Sequence, residues 1–257
     1  MEYKKYFTIS YDDGLEQDKR IVELMKKYGI NGTFNLNSGL FGLRTNIQYI
    51  GNLGYQNVGP DVIKQGLIRT APAYRIPEDE IRQVYAGFEL ATHGVHHMNE
   101  GKLSEEDLRK EIREDRKRLS EFTDLPVVGH AFPFGGSSAL AERVLQEEGI
   151  LYARGVSSSK GKGEKRFSFP TSLYHVSPTC SQIDGRTEKL FDEFMRTVPT
   201  QGDMLFYMWG HGYEIDFQTR RGRKLMDMLE RMFSMVAKDD SIISCTNNEA
   251  FSAHYGW

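Results

Sequence analysis

Short apolar runs alternate with amphipathic stretches along almost the whole chain, and nothing else in the sequence limits the fold as strongly. "YFTISYD" (6–12) reads as a strand. "LEQDKRIVELMKKYG" (15–29) reads as a helix, with Leu15, Ile21, Val22, Leu24 and Met25 apolar and Gly29 as its stop. "GTFNLN" (32–37) is a second strand, and "FELAT" (88–92) follows the short helix "EDEIRQVYAG". "LSEEDLRKEIREDRKRLSEFTD" is a helix in which Ser104 caps, with Asp107 three residues on. Further strands are expected at "PVVGHAF" (126–132), "ILYAR" (150–154), "SLYHVS" (172–177), "DMLFYMW" (203–209) and "SIISCT" (241–246). Helices fit at "SALAERVLQEEG", about 187–198 and about 219–237. Repeated strand–helix units favour a parallel sheet with helices outside. Seven or eight of them favour a barrel over an open sheet. The expectation is an α/β fold with one domain over residues 1–257. Residues 38–75 lack periodicity and read as an irregular insertion, with a short helix near 60–69.

At 257 residues, 39% hydrophobic and 12% aromatic, the chain has the material for a packed core. Its net charge of −3 comes from interspersed acids and bases, which argues against a general nucleic-acid or membrane-surface binder. The two cysteines, Cys180 and Cys245, form no metal-type pair and are expected to be reduced. "MEYKKYFTIS" has no signal-peptide core, and no long apolar run occurs. A cytoplasmic location is the expectation.

The polar residues of interest fall just after strands. In a parallel barrel those loops share one face, where active sites sit. Asp12 and Asp13 follow the first strand, "THGVHH" (92–97) another, "PFGG" (133–136) a third and "GHGYE" (210–214) a fourth. Two imidazoles four residues apart, joined by a carboxylate, make a tridentate site for a divalent metal with open positions left over. His93 pairs in this way with His97, though His96 competes, and an isolated pair of this kind is as often a surface feature. Asp12 and Asp13 precede a helix and fit a plain N-cap equally well. Strand alternation would turn them to opposite sides. His211 alone reads more often as structural. Trp209, beside it at a strand end, suits a pocket wall or the core, and Phe132 suits the core.

Taken together, these segments resemble the polysaccharide deacetylases, the NodB-homology or carbohydrate esterase family 4 group. "SYDDG" resembles the family's first motif, "HGVHH" the second, "FPFGG" the third and "WGH" the fifth, across residues 6–140 and about 200–215. The resemblance implies a distorted (β/α)7 barrel. It implies metal ligation by Asp13, His93 and His97, which decides between His96 and His97. Asp12 would be the catalytic base, His211 the acid, and the Phe134 N–H an oxyanion donor, with Pro133 and Trp209 at the substrate. The cofactor would be one divalent ion, zinc first, with cobalt, nickel, manganese or iron as alternatives. The implied reaction is hydrolysis of a non-peptide C–N bond: water activated at the metal attacks the amide carbonyl of an N-acetylated amino sugar or oligosaccharide. Hydrolysis of another linear or cyclic amide or ureide is the alternative enzyme reading, and a catalytically inactive carbohydrate-binding barrel the alternative from another class.

The chain also departs from the pattern, as a divergent member would. The third motif usually begins with an arginine that pairs with the base, and Ala131 stands in its place. His130 or Arg154 is left to compensate. The fourth motif, which orients the acid, has no match, leaving that task to Glu214 or Asp216. The substrate is expected to be a small molecule or oligosaccharide, without nucleic-acid or membrane partners.

Overall fold

A computed structural model describes residues 3–49, 55–58, 70–217 and 222–257. In chain order the elements are β1 (Lys5–Asp12), α1 (Asp18–Tyr28), β2 (Thr33–Leu36), β3 (Arg44–Tyr49), β4 (Tyr55–Val58), β5 (Thr70–Tyr74), α2 (Ile81–Val84), β6 (Glu89–Thr92) and α3 (Glu105–Leu119). There follow β7 (Gly129–Ala131), α4 (Ala139–Glu147), β8 (Tyr152–Arg154), β9 (Cys180–Ser181), α5 (Thr187–Arg196), β10 (Met204–His211), α6 (Gly222–Val236), β11 (Ile242–Ser244) and α7 (Asn247–Tyr255).

The main sheet runs β8-β7-β6-β2-β1-β10-β9, with β11 also on β1. Every pairing in it is parallel. The strands curl into a distorted barrel that is not fully closed. At the seam, β8 meets the following segment through one bridge, Arg154 to Val176.

β1 lies at the centre and is buried throughout. Its alternation sorts two environments. Phe7, Ile9 and Tyr11 join the large core shared with α1, α5 and α6. Thr8, Ser10 and Asp12 take the other face, where Thr8 bonds Asn247, Ser10 bonds Tyr207 and Asp12 bonds Arg154. α1 buries Ile21, Val22, Leu24 and Met25 against that core, each worth about 1.5–3 kcal/mol relative to exposure. Gly29 ends the helix in the left-handed conformation at φ 64°. Ser104 caps α3 as expected, its Oγ accepting from the Asp107 N–H.

Three expectations need correction. The segment at 38–75 is not wholly irregular: β4-β3-β5 form a three-stranded antiparallel sheet. Its strands are short and polar, with Ile47, Ala71 and Ala73 as the apolar residues that pack on Leu15, Tyr213 and Phe217, so alternation barely registers. The helix expected near 60–69 lies outside the described residues. "SLYHVS" is a 3₁₀ turn at Leu173–His175 and not a strand. Its Val176 packs beside Tyr152 and Tyr207 as loop wall, and the strand comes later, at Cys180. Finally, α1 begins at Asp18, because Leu15 is taken by a bridge to Arg75.

Cys180 and Cys245 are buried and unbridged. Among the described residues, no helix is long and apolar enough to cross a membrane.

Candidate active site and metal centre

The C-terminal ends of β1, β2, β6, β7, β8 and β10 meet on one face of the barrel. Register places the candidate groups side by side: Asp12 pairs with His211 on one flank and with Asn35 on the other. Asp13, His93 and His97 present one ligand atom each, all within 4.8 Å of one another. Asp13 Oδ1 lies 3.5 Å from His97 Nε2 and 3.9 Å from His93 Nε2. His96 turns away, its Nδ1 donating to Glu111 at 2.6 Å.

The donor set fits a divalent ion. His93 Nδ1 stands 2.6 Å from the Ala131 carbonyl. A carbonyl only accepts, so Nδ1 carries the proton and the Nε2 lone pair faces the cluster. Burial, together with the neighbouring His97, outweighs the two aspartates and pushes the His93 pKa down to about 3, so the ring is neutral, as a metal-ligating imidazole would have to be. Asp13 is ionised. Its burial is more than offset by Arg75 and the surrounding histidines, and its pKa falls well below the usual carboxylate range.

The loop that carries the histidines is pinned from behind. The His93 N–H donates to Asp115 at 2.9 Å, and Asn37 Nδ2 donates to the carbonyls of His93 and Gly94 at 2.5 and 2.8 Å. Glu111 accepts the His96 N–H at 2.8 Å. Among the described residues, Asp13, His97 and Phe134 are the non-glycine residues with positive φ, at 83°, 55° and 58°. All three belong to this cluster. Each such conformation costs about 1–3 kcal/mol, so the surrounding bonds hold strained backbone where ligands must point inward. Asp13 thus leaves the plane of Asp12 through a left-handed residue, and simple strand alternation does not separate the two.

Asp12 is gripped by Arg154, whose Nη2 lies 2.5 Å from both carboxylate oxygens, and by Asn35 Nδ2 at 2.7 Å. Burial pushes its pKa up, but Arg154, His93 and His211 outweigh that and hold it below the ordinary value. Arg154 is the register partner of Ala131. The cation missing from β7 therefore stands at the same level one strand over. His130 does not compensate; its ring bonds Glu100 at 3.0 Å. The Arg154 guanidinium also lies over the Trp209 ring, 4.5 Å from its centre, so Trp209 backs the ion pair.

His211 Nδ1 lies 3.2 Å from Glu214. Asp216 is occupied by Gln17 and Arg20. Burial would lower the His211 pKa, but the hydrogen bond and charge of Glu214, aided by Asp13 and Asp12, lift it to about 9. Gln182 fixes Glu214 in turn: its Nε2 donates to Glu214 Oε2 at 2.7 Å and to the His211 carbonyl at 2.9 Å, while its Oε1 accepts from Tyr11. In Glu214→Gln the raising charge disappears while burial remains. The alkaline limb of a pH profile of kcat/KM is then expected to move down from near 9; an unmoved limb would count against His211 as the acid.

Pro133 is buried beside the cluster, and the Phe134 ring is 66% exposed, 4.5 Å centre to centre from His97. The turn there uses the amides of Gly135 and Gly136, which donate to Phe132 and Pro133. The Phe134 amide is not among these turn bonds.

Several of these residues escaped sequence reading. Glu111 and Asp115 sit on the buried face of α3 with Leu108, Ile112 and Leu119. Two acids on an apolar stripe were the available signal. Arg75 and Gln182 carried none, since each follows a short strand at an unremarkable position.

Two carboxylates and three imidazoles thus converge at the strand ends of this barrel. The sequence profile "Polysaccharide deacetylase" matches residues 2–153, more than half of the chain, and the chain belongs to that family. No curated protein matches. Among solved structures, a candidate polysaccharide deacetylase from Mycobacterium smegmatis shares 13% identity over 99% of this chain and 91% of its own, with a TM-score of 0.60. The CE4 domain of a multidomain xylanase from the hindgut metagenome of Trinervitermes trinervoides aligns at 15% identity over 97% and 91%, TM-score 0.52. A CE4 family pseudoenzyme from Bacillus anthracis aligns at 15% over 97% and 66%, TM-score 0.53. Other alignments are partial on both sides: one with a Streptococcus pyogenes deacetylase covers 58% of this chain and 55% of that one, and one with a Bacillus cereus polysaccharide deacetylase covers 65% and 44%. At these identities the likeness shows the fold.

Proposed function

We infer that the chain is a metal-dependent hydrolase of a non-peptide C–N bond, removing the acetyl group from an N-acetylated amino sugar or oligosaccharide. The observation that carries this reading is the pairing of Asp12 with His211 across adjacent strands beside the Asp13–His93–His97 cluster. Both flanking residues are braced for opposite proton duties, Asp12 by a cation and His211 by an anion. A binding barrel has no need of either brace.

A divalent ion held by Asp13, His93 and His97, zinc first among the candidates, would polarise the acyl carbonyl and acidify water there. Asp12 stays ionised under the Arg154 charge and accepts the proton of the attacking water. The Phe134 N–H is available to the oxygen that becomes negative as the carbonyl carbon turns tetrahedral. His211 enters the reaction protonated, because its pKa is lifted to about 9. It gives that proton to the departing nitrogen, without which the amine does not leave. Phe134, Pro133 and Trp209 surround the space that the sugar would occupy.

The test is release of acetate from chito-oligosaccharides and from peptidoglycan fragments, with and without chelator. Chelator-sensitive release supports the reading. Tight binding of these compounds without turnover at any metal would establish an inactive barrel instead.

A further inference from the structure

Arg75 is an unexpected neighbour of the metal cluster. It follows β5, so the inserted sheet delivers it. It is buried, and its Nη2 lies 3.1 Å from Asp13 Oδ1. That is the same oxygen that faces His97 Nε2 at 3.5 Å and His93 Nε2 at 3.9 Å. The Arg75 Nε has no hydrogen-bond partner among the described residues, and Nη2 is held by Asp13. The backbone around it is firmly tied. The Arg75 N–H donates to the Leu43 carbonyl, Glu16 N–H to Tyr74, and Ile76 N–H to Gly14. The last two bonds stitch the insertion to the loop that carries Asp13.

One carboxylate oxygen thus serves two electropositive partners. Before an ion enters, Arg75 supplies the counter-charge that a buried carboxylate requires. Once an ion lies against Oδ1, a fixed cation remains beside it in a poorly screened interior, where like charges repel strongly. The hydrogen bond also draws electron density from Oδ1, so less is donated to the ion.

We propose that Arg75 is a metal-tuning residue: it stands in for the ion's charge on Asp13 and then shares Oδ1 with the ion, loosening metal binding while sharpening the ion's pull on the acyl oxygen. Arg75 touches neither substrate nor reacting atoms and acts through Asp13. The proposal rests on the metal-site reading above. It gives the insertion a role at the reacting centre, since Arg75 is its contribution there.

The experiment is calorimetric titration of Zn²⁺ and Co²⁺ into the full chain, stripped with chelator, for wild type, Arg75→Met and Arg75→Lys. Arg75→Met keeps the apolar stem and loses the charge; it is expected to bind Zn²⁺ at least about tenfold more tightly than wild type, the scale on which outer-shell partners act, with kcat reduced at saturating metal. Arg75→Lys keeps the charge and is expected to stay within about threefold of wild type. The metal-induced rise in Tm, largest in Arg75→Met, reports the same order even if that variant is destabilised without metal. Equal or weaker metal binding by Arg75→Met overturns the proposal while leaving the metal site standing. Metal binding by neither wild type nor Arg75→Met overturns the proposal and the metal-site reading together.

Discussion

Replacing Asp12 with asparagine is expected to lower kcat by about 10³–10⁴-fold, the upper range for loss of a positioned general base. The substituted amide keeps the size of the side chain and one acceptor oxygen for Arg154 or Asn35, but it cannot take a proton. The candidate metal ligands Asp13, His93 and His97 are untouched by this change. Metal content measured by atomic spectroscopy should therefore match wild type. That combination, full metal and almost no turnover, separates a base from a ligand. Turnover within about tenfold of wild type at full metal occupancy would remove Asp12 from the proton path.

Replacing Arg154 with methionine is expected to act on stability and on pH dependence together. Arg154 and Asp12 form a fully buried ion pair with side-chain exposures of 0% and 3%. Removing the cation leaves an uncompensated buried carboxylate, a loss of about 3–5 kcal/mol, which denaturant unfolding would read at neutral pH. In wild type the folded pKa of Asp12 is depressed, so the pair's contribution is present above the ordinary carboxylate range and is lost as pH falls through the depressed value. In the variant burial is left with only the weaker help of His211, since His93 is neutral there, and the pKa is expected to rise above the ordinary value. Stability should then decline as pH rises through the carboxylate range, the reverse of the wild-type slope, and the acidic limb of kcat/KM should move toward neutral. Arg154→Lys should recover part of both effects. Unchanged stability and an unmoved acidic limb would mean that the pair does not govern Asp12.

The legible parts of the molecule were those whose signal is local and repeated. β10 announced itself as a buried apolar run, and β1 through the alternation of Phe7, Ile9 and Tyr11 with small polar residues. α3 was visible because Ser104 and its charged first turn mark a helix start. The positions of Asp12, Asp13, His93, His97 and His211 after strands followed from barrel topology, and their division of labour came from resemblance. What stayed hidden depends on contacts between segments distant in sequence. Arg75 reaches Asp13 across 62 residues, and Arg154, which the sequence offered only as an alternative to His130, reaches Asp12 across 142. Neither distance leaves a trace in periodicity. The inserted sheet was missed because Asn, Gln, Thr and a proline fill strands that are held by their pairing more than by burial. Ala131 looked like a lost function in one strand. Its register partner on β8 carries the arginine, and register between β7 and β8 could not be read from a three-residue strand.

The most direct measurement is hydrolysis of an N-acetylated chito-oligosaccharide by wild type and Asp13→Ala during titration of Zn²⁺ into chelator-stripped protein. Wild type is expected to bind one ion per chain and to release acetate in proportion to occupancy, while Asp13→Ala binds at least about tenfold more weakly and releases none at the concentration that saturates wild type. Acetate release that persists in stripped wild-type protein, or that proceeds equally well in Asp13→Ala, would contradict a metal centre built on Asp13, His93 and His97.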